Sequence, residues 1–199
     1  MDKRYRLLPQ IKVASTPCFV MEVIDLETVT ADSPALMAMT DLSVQPTATI
    51  GPRVPLELAN VAMIQHGVRL LVVTSEVEHN RIVGLITSTD LLGEKPIQVA
   101  QQKGVKRSDL VVSDVMVPVE EIDILPFEEV RKASVGDIVA TLKAAHRAHA
   151  LVVTDGTSGQ QLLGGIFSAS QIARQLGLTI QTHDLARIFA EIDAVIAGV

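Results

Sequence analysis

Two short stretches hold the residues whose types and spacing suit chemistry. Gly84-Leu85-Ile86-Thr87-Ser88-Thr89-Asp90 ends a β-prone apolar run at a small hydroxyl residue, with a carboxylate three positions after Thr87. Gly165-Ile166-Phe167-Ser168-Ala169-Ser170-Gln171 has the same form, with an amide in place of the carboxylate. Thr87-x-x-Asp90 and Ser168-x-x-Gln171 both satisfy the rule for a capping box. In that motif the hydroxyl accepts an amide hydrogen of the new helix and the later side chain reaches back. A strand feeding a helix N-terminus is also an anion site, because free amides and the positive dipole end point outward. A hydroxyl placed there binds phosphate, and a carboxylate one turn on accepts both hydroxyls of a ribose. Both readings stand on the residues alone, and only the first stretch carries the carboxylate.

Other chemistry is sparse. The chain has no Gly-x-Ser-x-Gly, no His-Glu-x-x-His, no Gly-x-Gly-x-x-Gly after a strand and no Walker lysine, so neither catalysis nor a catalytic cofactor is expected. His146-x-x-His149 would set two imidazoles on one helix face, but no third ligand has a matching spacing. The acidic run of Glu120, Glu121, Asp123, Glu128 and Glu129 reads as a solvated loop, and no metal site is expected. Cys18 is the only cysteine, which excludes an intrachain disulfide and suits a reducing cytoplasm, the expected location. The 17 basic and 23 acidic residues leave a net charge of −6, which argues against nucleic acid as a partner. Lys103, Lys106 and Arg107 form a local basic patch, read as a solvated linker face. No apolar run approaches the ~20 residues of a membrane span.

The elements that must position these residues repeat as well. His66–Val73 aligns without gaps on His146–Val153, an offset of 80, while the two motif glycines are 81 apart. The second copy therefore gains one residue, placed in the turn Asp155-Gly156-Thr157-Ser158-Gly159. A repeat of this length is a supersecondary unit used twice. With 48% hydrophobic but only 3% aromatic residues, the core must be aliphatic.

The pattern predicts a short strand over 47–50, then a helix over 55–66 with Leu58, Ala59, Ala62 and Met63 on its inner face and Gly67 as its stop. Strands follow over 68–74 and 81–86, and a linker helix over 96–103. Ser134-x-x-Asp137 opens a second apolar helix, before strands over 150–154 and 161–167. Ala35 to Leu42 reads as a short helix. Residues 1–34 carry three prolines and candidate strands at 11–14 and 19–24. Residues 182–197 form the clearest amphipathic helix, with Leu185, Ile188, Phe189, Ile192, Val195 and Ile196 at the 3.6 period.

Two copies of an apolar helix, a Leu-Val-Val strand, a turn and Gly-h-h-Thr/Ser-x-x-Asp resemble a tandem pair of cystathionine β-synthase (CBS) domains, a Bateman module, over about residues 35–177. The resemblance implies an α/β fold of two β-α-β-β-α repeats packed sheet to sheet about a pseudo-two-fold axis. Its boundaries would be an N-terminal extension 1–34, repeat one 35–95, linker helix 96–112, repeat two 113–178 and C-terminal helix 179–199. It implies a regulatory module that senses an adenine nucleotide (AMP first, then ADP or ATP) in the cleft between the repeats. Asp90 would hold the ribose, and Thr87 and Ser88 would lie near the phosphate. Arg69 and His149, matched in the alignment, would be its cationic partners, and the backbone from Thr47 to Ile50 would hold the base. If His149 meets phosphate, affinity should weaken as pH rises through ~6.5.

Gln171 lacks the charge for an equal second site. The family further implies a homodimer and, since no enzyme is attached, an unidentified regulated protein as partner. Two alternatives are a ligand-free interaction or dimerisation module and a binder of S-adenosylmethionine or a dinucleotide.

Overall fold

The computed structural model describes residues 28–156, 159–180 and 184–197. The candidate strands at 11–14 and 19–24, and Cys18, lie outside the described residues. A 3-10 turn at Ala35–Ala38 leads into β1 (Thr40–Asp41) and β2 (Thr49–Ile50), then α1 (Leu56–His66), β3 (Leu70–Thr74), β4 (Ile82–Thr87) and α2 (Ser88–Leu92). The linker follows as α3 (Lys95–Lys103) and α4 (Val112–Val115). The second half holds β5 (Val117–Pro118), β6 (Ile124–Pro126), α5 (Phe127–Val130), α6 (Val135–Ala144), β7 (His149–Asp155), β8 (Gln161–Ser168), α7 (Ala169–Gln175) and α8 (Leu185–Ile196). No helix among the described residues is long and apolar enough to cross a membrane.

The two halves exchange strands. The first sheet runs β2-β3-β4-β5 and the second β1-β8-β7-β6. Thus β5, from beyond the linker, closes the first sheet, with Leu85 opposite Val117. In return β1, from before the first repeat's own helix, closes the second, with Asp41 opposite Gly165. This exchange explains the two motif glycines. A Cβ on Gly84 would lie 2.6 Å from the Val117 carbonyl oxygen and 2.7 Å from Met116 Sδ, and one on Gly165 would strike Met39. Each sheet strand must be bare where the visiting segment presses its methionine.

The exchange also corrects the expected helix from Ala35 to Leu42. After one 3-10 turn the backbone straightens, and the Leu42 amide donates to the Gly164 carbonyl instead of extending a helix. The expected boundaries divide the sequence but not the cores. Ala35 and Ala38 are buried with Val139, Phe167 and Ile172 of the second half. Val112 and Val115 are buried with Leu71, Ile86 and Leu91 of the first. Between the sheets, Leu70, Val72 and Leu85 meet Leu151.

The repeats are related by 79 residues through helix and strand, not 80. Val68 N–H donates to the Met63 carbonyl as Arg147 N–H donates to that of Leu142, so Gly67 matches His146. Val72 and Leu151 then fall together on the sheet-to-sheet face, as one register requires. Arg69 therefore matches Ala148, and His149 matches Leu70. The second copy gains two residues, both within the β7–β8 hairpin, whose strands are longer than β3 and β4. Gly67 closes α1 at φ 63°, and His146 takes the same turn at φ 51°. A side chain there costs about 1–2 kcal/mol that glycine avoids.

Helix α1 buries Leu56, Ala59 and Met63, whereas Leu58, expected inside, is 53% exposed. It shares the outward stripe with Val61 and Ile64, so α1 is apolar on both faces. Helix α6 starts as expected, with Ser134 and Asp137 forming a reciprocal capping box. At α8, Asp184 caps the Ala186 amide, and Ile188, Phe189 and Ile192 join the second core, while Val195 and Ile196 stay outside.

Candidate functional site

At the end of β4 the capping box is fully formed. Asp90 N–H donates to Thr87 Oγ1 (3.3 Å), while the Thr87 amide (2.9 Å) and hydroxyl (2.6 Å) both donate to Asp90 Oδ2. The other carboxylate oxygen, Oδ1, lies 3.8 Å from the half-exposed Lys95 ammonium. Oδ1 therefore keeps lone pairs for a ligand while Oδ2 holds the helix.

The second copy does not form its box. Ser168 makes no cap, and its hydroxyl pairs with Ser170 Oγ at 3.1 Å. Gln171 Oε1 instead accepts from Thr40 Oγ1 at 3.0 Å, because the exchanged strand β1 brings that threonine alongside.

A cavity of about 250 Å³ lies where the two motifs face one another. Arg69, Ser88, Thr89, His149 and Ser170 supply its polar lining, and Leu92, Leu185 and Ile188 supply apolar wall. Arg69 forms no ion pair or side-chain hydrogen bond among the described residues. His149 Nδ1 is buried without a partner. Burial, and next the Arg69 charge, push the His149 imidazole down to about 4, against a smaller upward pull from Asp90. The ring is therefore neutral near pH 6.5, which corrects the expected titration there.

Of the expected ligand residues, Arg69, Ser88 and His149 share this cavity. Thr87 and Asp90 stand beside it, and the Asp90 charge is felt at His149. Thr47 lines a separate cleft of about 1,090 Å³ between the β3–β4 and β7–β8 hairpins, with Thr49 and Ile124. Ile50 is buried in the first core. Neither Thr47 nor Ile50 reaches the Arg69 cavity, since β2 pairs with β3 towards its far end. Sequence reasoning missed Thr89 and Ser170, which sat unused inside the motifs. It also missed Leu185 and Ile188, for which the repeat held no signal.

Several of the other charged groups singled out in the sequence pair with neighbours. His146 sits in the turn after α6 and His149 in β7, so they share no helix face. No group of three metal-binding side chains exists among the described residues. Glu128, Glu129 and Asp123 pair with Arg131 (3.6 Å), Lys132 (3.0 Å) and Arg147 (3.1 Å). In the basic patch Lys103 pairs with Asp114, and Arg107 donates to the Leu91 carbonyl at 3.1 Å.

Residues 21–96 match the family model described as the CBS domain. A similar fold is found in an uncharacterized conserved protein from Pyrococcus horikoshii, with a TM-score of 0.53 at 18% identity over 77% of this chain and 99% of that one. It is found too in the CBS domain of a bacterial CNNM/CorC family Mg2+ transporter in complex with ATP, with a TM-score of 0.50 at 16% identity over 75% and 91%. CBSX2 in complex with AMP gives a TM-score of 0.49 at 20% identity over 71% and 93%. No curated protein matches the sequence. The family match thus covers residues 21–96, and the fold of the two exchanged halves is the one seen in these structures.

Proposed function

We propose that this protein is a regulatory module that binds an adenine nucleotide, AMP foremost, between its two halves, without catalysis of its own. The observation that carries this reading is the cavity itself, in which an unpaired guanidinium and an unpartnered imidazole nitrogen face three hydroxyl side chains. A phosphate supplies the acceptors that Arg69, Ser88 and Thr89 lack. Asp90 Oδ1 takes a ribose hydroxyl while Oδ2 keeps its cap. ATP in a structure of the same fold makes adenine nucleotides the first class to test. Gln171 is held by Thr40, so one nucleotide per chain is expected.

The test is a thermal shift with calorimetry. AMP at about 100 times its dissociation constant adds roughly 2.7 kcal/mol of stability, or about 5–10 °C for a chain this size. Asp90→Ala is expected to lose most of that shift and Gln171→Ala little. Two sites per chain, or Asp90→Ala binding like the parent, overturns the assignment. No shift with any nucleotide, S-adenosylmethionine or dinucleotide favours a ligand-free interaction module.

The same reading includes cytoplasmic location, a regulated partner protein and self-association. The bare stripe of Leu58, Val61 and Ile64 is the face proposed to meet a second copy, because a contiguous exposed apolar patch marks an interaction surface. Sedimentation at tens of micromolar should find a dimer, and a monomer there removes that part.

A further inference from the structure

We infer that α8 is a working wall of the nucleotide cavity, so that occupancy of the cavity and seating of this helix are thermodynamically linked. The inference rests on the ligand reading above and adds the element that responds. Leu185 and Ile188 of α8 line the cavity together with Arg69, Ser88 and His149. Without them the cavity is a groove open to water, in which the same polar groups attract an anion less because solvent screens them.

The helix is also separable by construction. Ile188, Phe189 and Ile192 dock into the second core through contacts with α6 and α7, and α8 belongs to neither sheet. Its polar tie to α6 is the Lys143–Asp193 ion pair, about half exposed on both sides and therefore weak. One ridge of α8 thus holds the helix down, and its first turn faces the ligand. A ligand touching Leu185 and Ile188 binds the seated state better than the lifted one and shifts the balance towards it. The link is reciprocal, so loosening the seat must weaken binding.

The experiment uses the full chain, AMP as the probe, calorimetry for affinity and amide hydrogen exchange for α8. Ile192 is buried under α8 and does not line the cavity. Ile192→Ala is expected to weaken AMP about tenfold, and saturating AMP to slow exchange of the α8 amides about tenfold while α3 is unchanged. Leu110→Ala, an equally buried truncation in the first core, is expected to leave affinity as it was. Leu185→Ser, on a partly buried wall position, is expected to reproduce the loss of affinity without loss of fold. AMP that binds with no change in α8 exchange, or with equal affinity in all variants, overturns the link alone. AMP that does not bind the parent chain overturns the ligand reading, and the link falls with it.

Discussion

A chain ending at Gly93 is expected to give no cooperative unfolding transition, no near-UV signal and a collapsed amide spectrum. Such a fragment keeps α1, β2, β3, β4 and α2 but loses Leu110, Val112 and Val115, which are essentially inaccessible in the first core. It also loses β5, the strand beside β4. The two valines alone represent about 3–6 kcal/mol of apolar burial, against a total stability for such domains of about 5–15 kcal/mol. The deficit is comparable to the whole, and the fragment's sheet face of Leu70, Val72 and Leu85 would be bare as well. A sharp, dispersed spectrum from that fragment would defeat the account of the exchanged core.

Acidification should destabilise the chain well before its carboxylates titrate, and His149 should be the cause. Its imidazole sits at about 4 in the folded chain against 6.5 unfolded, so between those values the unfolded state binds the extra proton. Stability from this group is present above pH 6.5 and is lost as pH falls towards 4. The loss is about 2 kcal/mol between pH 7 and pH 5, and about 3 kcal/mol when complete. Asp114, held down by Lys103 and the Val111 amide against the cost of burial, contributes in a lower window below its ordinary 3.8. Urea midpoints at pH 7 and pH 5 should therefore differ, and His149→Gln should flatten that difference. An unchanged slope in His149→Gln would place the acid sensitivity elsewhere.

The fold class was legible because it rests on local rules repeated twice. Hydroxyl and carboxylate at capping spacing, glycine after α1 and short β-prone apolar runs are each fixed within a few residues. What escaped was set by distant segments. Nothing within residues 35–42 says that Thr40 will pair with β8, since two residues carry too little pattern to choose a partner. The register slipped for a similar reason. Matching His66 with His146 satisfied residue type, but the turn after each helix matches Gly67 with His146, and backbone geometry decides. That error made Arg69 and His149 look equivalent. They meet in one cavity all the same, one from each half, because both lie at the edge where the halves face. The place of Thr47–Ile50 was also set by pairing, which lays β2 against Val72 and Val73 and puts Thr47 in the hairpin cleft. The base strand of a repeat leads away from its own Asp90, a relation visible only once the sheets are paired.

The exchanged strands also order events on the ribosome. Thr40 and its partner Gln171 are 131 positions apart, so β1 waits unpaired until β8 and Gln171 have emerged. The first half can close its sheet only after Pro118 is free of the exit tunnel, and the second only by reaching back to β1. Contacts of such separation close slowly and keep an apolar edge open meanwhile. A pause in translation between Gly93 and Pro118 would strand the first half without its last strand. Synonymous codons in that window should therefore influence soluble yield more than those after Gln175.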